Sequence, residues 1–126
     1  MSIAAAAAPA MHPTQARYIA ARALYEDAAA EAQRRCPAPA QDAPEAEVEA
    51  WLEASEAVDL ELGVSRLMVE LVAAEDAMLA WSLEVARKSA GRSRVKLSMI
   101  ATLERGLPRH HAIRAKAIDL ALRLAA

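Results

Sequence analysis

Glu49, Glu53 and Glu56 fall at i, i+4 and i+7, so on a helix their carboxylates share one face, and Asp59 continues it. Carboxylates grouped on bundle helices can hold magnesium or manganese, the chemistry of a metal-dependent hydrolase. The companions such a centre needs are missing. No Glu-x-x-His pair occurs, and no lysine lies in the acidic segment to meet a phosphate. The face, with Glu70 and Glu75 farther along, reads as solvated, and neither a metal nor a cofactor is expected. Asp76 interrupts an otherwise apolar line. It is either a buried acid satisfied by an arginine or a point where that line reaches water.

The second group is basic. Arg87, Lys88, Arg92, Arg94 and Lys96 place five cations within ten residues, across a helix end, a loop and a helix start. Each could neutralise a phosphate, and such binding weakens steeply with salt. Arg109, Arg114, Lys116 and Arg123 extend the charge. Two short helices joined across Gly106–Pro108 have the size of a helix-turn-helix, but any short helical hairpin has it, and no aromatic residue is there to stack on bases. A small nucleic-acid-binding protein is therefore one reading. The other is a basic surface that pairs with the acidic helix.

The remaining candidates are weaker. His110 and His111 are adjacent, point about 100° apart on a helix and cannot share a metal. Cys36 is the only cysteine, so no intrachain disulfide can form, which fits a reducing cytoplasm. No histidine lies near it in sequence to make a reactive thiol.

These residues must be positioned by helices. Hydrophobic residues make up 56% of the 126, but aromatics only 3%, and phenylalanine is absent. A core of Leu, Val, Ile, Met and Ala suits close helix contact better than a sheet. Three glycines exclude a Gly-rich phosphate loop. No apolar run approaches the roughly 20 residues of a membrane span. Residues 1–86 hold 5 Lys/Arg and 15 Asp/Glu, a balance of −10, whereas 87–126 hold 10 and 2, a balance of +8.

Leu60, Val64, Leu67, Leu71, Ala74, Met78, Trp81 and Val85 follow at steps of four and three, a coiled-coil-like seam. A second line from Val48 through Trp51, Val58, Leu62, Val69, Val72, Asp76, Leu79 and Leu83 to Ala86 runs about 150° away around the helix. A helix apolar on two sides belongs at the centre of a bundle. The sequence thus predicts an all-α fold of four helices. One long central helix spans about 44–89, flanked by helices over about 15–35, 94–105 and 108–124. Residues 1–13 read as a flexible arm and 14–126 as one domain. Thr14, Asp42 and Ser93 are the expected N-caps, and Gly91 a left-handed C-cap.

A helix of 46 residues is about 70 Å long, whereas a compact chain of this size is roughly 35–40 Å across. Either the helix breaks near Gly63 or a second copy covers the overhang. The expectation is an unbroken helix completed by homodimerisation, with Leu60, Val64, Leu67, Leu71, Met78, Trp81 and Val85 in the core or interface. The leading functional reading is a non-enzymatic helical adaptor or regulatory protein.

Overall fold

The computed structural model describes residues 11–106 and 111–126. The fold is all-α, with five helices and no strand among the described residues: α1 Pro13–Arg35, α2 Glu45–Leu62, α3 Val64–Ala90, α4 Arg94–Arg105 and α5 His111–Ala125.

The single 44–89 helix is not what forms. It divides at Gly63, which adopts φ 69° and ψ 32°, the left-handed region open to glycine. The Gly63 amide donates to the Asp59 carbonyl at 2.6 Å, ending α2. The Asp59 carboxylate then turns to the next helix. It accepts from the Ser65 amide at 2.7 Å and from the Ser65 hydroxyl. One residue thus closes α2 with its backbone and caps α3 with its side chain.

The other boundaries follow local chemistry. His12, not Thr14, is the N-cap of α1: its Nδ1 accepts from the Thr14 amide at 3.2 Å, and Pro13 fills the first helical position. His12 therefore belongs to the fold rather than to an arm. Pro44 precedes α2 without a side-chain cap, so the expected Asp42 cap is not formed. Glu45 and Glu47 in the first turn of α2 suit its positive end. Ser93 caps α4 as expected, through the Lys96 amide at 3.4 Å. Gly91 ends α3 at φ 55°, ψ −114°, a positive φ but outside the expected left-handed helical region.

α3 is the central element, packed by α1, α4 and α5. It contributes Leu71, Ala74, Met78, Leu79, Leu83, Ala86 and Ala90 to the core. Tyr18 of α1, Ile100 of α4, and Ala117, Ile118, Ala121 and Leu124 of α5 close on them. From residue 71 onward both predicted apolar lines reach the core, through Leu71, Ala74 and Met78 on the first and Leu79, Leu83 and Ala86 on the second, with Val72 half-buried and Asp76 exposed. Upstream they do not. Val64 and Leu67 are half-buried, Val69 is exposed, and Leu60 is 83% exposed. Trp81 and Val85 are half-buried. α1 runs antiparallel to α3: its His12 ring stacks on Trp81 at 4.5 Å, while Ala29 and Ala32 face Val64. α2 contributes no buried residue and, among the described helices, touches only α1 and α3.

Candidate interaction surfaces

α2 carries Glu45, Glu47, Glu49, Glu53, Glu56, Asp59 and Glu61 and no cation. Two of these acids have work within the fold. Glu61 pairs with Arg35 at 3.0 Å, binding α2 to the end of α1. Asp59 makes the cap to Ser65, and those hydrogen bonds hold its carboxyl below the ordinary value of 3.8. The other five have no ion pair among the described residues. Glu49, Glu53 and Glu56 are all exposed, on one stripe that ends at Leu60. No three His, Cys, Asp or Glu side chains among the described residues come together as a metal set.

Trp51 anchors the inner side of α2. Its indole N–H donates to the Cys36 carbonyl at 3.2 Å, and the Cys36 thiol lies 3.9 Å from the Trp51 carbonyl. The lone cysteine is thus half-buried at the α1–α2 junction.

The basic group is divided by its environment. Arg87 is paired with Glu104 of α4, and Lys88 with Glu84 at 3.2 Å. Arg114 is paired with Asp76, which resolves the interruption in the apolar line. The guanidinium side chain is only 12% exposed and the carboxylate 61%, so the arginine is the inner partner and the acid reaches water. Glu75, its neighbour, is fully buried rather than solvated, so the acidic face expected along the long helix ends before it. Arg92, Arg94 and Lys96 have no ion pair among the described residues; Arg92 and Arg94 are exposed and Lys96 half-buried. Lys116 and Arg123 are exposed on α5. Arg109 and His110 lie outside the described residues, as does the side chain of His111.

Asp76 and the Arg87–Glu104 pair border a groove of about 510 Å³. Leu79, Ala80 and Leu83 line it, and Asp76, Arg87 and Glu104 line it as well. An arginine partner for Asp76 was one of the two readings open in the sequence; that it is Arg114, and that Arg87 meets Glu104, was hidden because periodicity gives a residue's face but not its partner. The Asp59–Ser65 cap did leave a signal: an acid four residues before a glycine and six before a serine.

α2 and α4 make no contact with each other, and α2 makes none with α5. α2 and the basic α4 therefore do not complement each other inside one copy. The second half of the predicted acidic helix, by contrast, does meet the basic C-terminal part, through Asp76 and Arg114. α3 holds α2 and α4 at its two ends; its 27 residues span about 40 Å. No helix among the described residues is long and apolar enough to cross a membrane.

No protein-family model, no curated protein and no solved structure matches this chain.

Proposed function

We infer that the chain is a non-enzymatic α-helical interaction protein, an adaptor or regulator that works as a homodimer. The observation that carries this reading is uncovered surface. The chain exposes 8926 Å². A monomeric globular protein of 13.5 kDa exposes about 6,500 Å². The residues outside the described segments can be allotted the full area of an extended chain, about 2,000 Å². The remainder still exceeds its expected value by roughly 900 Å². That matches the ~800 Å² each partner gives to a standard interface. α2, with no core residue, and the exposed Leu52, Leu60, Val69 and Val95 are where such cover is wanted. A single cysteine fits a cytoplasmic setting.

Sedimentation equilibrium tests the reading. The expected result is a concentration-dependent species of twice the 13.5 kDa chain mass. A single 13.5 kDa species at every concentration rejects it.

A second reading is contact with nucleic acid. It rests on Arg92, Arg94 and Lys96 alone, since Arg87, Lys88 and Arg114 already serve acids of the same chain. Arg92→Ala with Arg94→Ala should weaken DNA or RNA binding, and the wild-type affinity should fall steeply with salt. Binding indifferent to both removes this reading.

A further inference from the structure

We propose that the acidic α2 of one copy docks on the basic α4, and on the loop leading into it, of a second copy, with two such contacts related by a two-fold axis. This deepens the homodimer reading and rests on it.

The argument begins with what each copy leaves unsatisfied. On α2, Glu45, Glu47, Glu49, Glu53 and Glu56 lack ion pairs among the described residues, and no lysine or arginine lies on the helix to answer them. At the other end, Arg92, Arg94, Lys96 and Arg105 are in the same condition. Five acids in one place and four cations in another are a natural match. Yet α2 and α4 make no contact with each other in one chain. The 27 residues of α3 put its Gly63 end and the start of α4 about 40 Å apart, several screening lengths at physiological salt, so Arg92, Arg94 and Lys96 do not offset the α2 acids within a copy.

A second copy turned end for end removes the mismatch twice. Its basic α4 comes to the first copy's α2, and its α2 to the first copy's α4. A two-fold interface is self-complementary by construction, so both contacts form or neither does.

The apolar residues stand in the same places. Leu60 ends the stripe of Glu49, Glu53 and Glu56, and Leu52 lies beside it. On α4, Val95 is 71% exposed and Met99, one turn on, is also exposed. Each helix thus offers apolar side chains among charges of one sign, and the signs are opposite. The apolar area supplies affinity, while the charges set orientation and the rate of encounter. The uncovered area of roughly 900 Å² estimated above is enough for a patch of this kind on each copy.

Charge reversal separates this proposal from the broader reading. One variant carries Glu49→Lys, Glu53→Lys and Glu56→Lys. The other carries Arg92→Glu, Arg94→Glu and Lys96→Glu. Alone, each variant faces like charge with like at both contacts, and each should run as a monomer by light scattering. Mixed in equal amounts, they should form a heterodimer, because both contacts are then again between opposite charges. Recovery on mixing also shows that both variants are folded. For the wild type, raising sodium chloride from 0.1 to 1 M should weaken the dimer at least about tenfold. A dimer that ignores salt and persists in each variant alone overturns the α2–α4 contact and leaves the homodimer standing. Assemblies larger than two copies overturn the two-fold arrangement. A wild type that is monomeric in all salts removes the homodimer itself.

Discussion

Asp59 does at the residue scale what the periodicity could not foresee. Its carbonyl ends α2 and its carboxylate opens α3. The sequence displays it as one more acid on a polar stripe, because a helical wheel assigns faces and is blind to a side chain that reaches past its own helix end. The structure makes it the latch of the elbow. Its carboxyl is held below the ordinary 3.8 by the Ser65 hydroxyl and amide. The folded form therefore favours the ionised acid. The stabilisation is fully present above the ordinary value and is lost as pH falls through it toward the depressed folded value. Asp59→Asn should remove that acid limb from a melting-temperature profile taken between about pH 5 and pH 2, and should lower the plateau above it. A variant whose profile overlays the wild type would show the latch to be idle. Ser93, by contrast, was legible as a cap, since it stands directly before a helix start with no competing acceptor beside it.

Gly63 poses the question at the scale of the element. The four-three step runs through it without a phase error, from Leu60 to Val64 to Leu67, so the pattern alone reads as a single rod. What divides the rod is a backbone angle, and only the glycine and its Asp59–Ser65 bracket announce it. Alanine at 63 would have to enter the left-handed region, at about 1–2 kcal/mol, while in an unbroken helix it is about 1 kcal/mol better than glycine. Gly63→Ala should therefore move the balance toward a straight α2–α3 by about 2–3 kcal/mol. Small-angle scattering should then show the longest dimension growing toward ~70 Å. An unchanged profile would mean that Asp59 and Ser65 hold the bend without the glycine. The buried half of α3 was legible for the opposite reason. From Leu71 to Ala90 both apolar lines have neighbours, α1 and α5 with α4, and there packing and pattern agree.

The whole molecule joins a well-packed body to a thinly attached arm-like helix. The body is α3 from Leu71 onward with Tyr18, Ile100 and the inner face of α5. α2 is held by the Trp51–Cys36 hydrogen bond, the Arg35–Glu61 pair and the elbow itself. Hydrogen exchange should separate the two: amides of α2 should exchange through local opening, and those between Leu71 and Ala86 only with global unfolding. In a dilute sample, equal protection of both would contradict the division. The split of charge along the chain was visible in the sequence, since counting suffices. That the two charges are kept at opposite ends was not, because it depends on where the elbow and the α4 turn send the chain. α2 lies outside the core, and that bears on how the protein can change. Most of its side chains carry no folding duty, so substitutions along its outer stripe leave the body intact. Mutation can change the character of this outer stripe while the core of the molecule stays as it is.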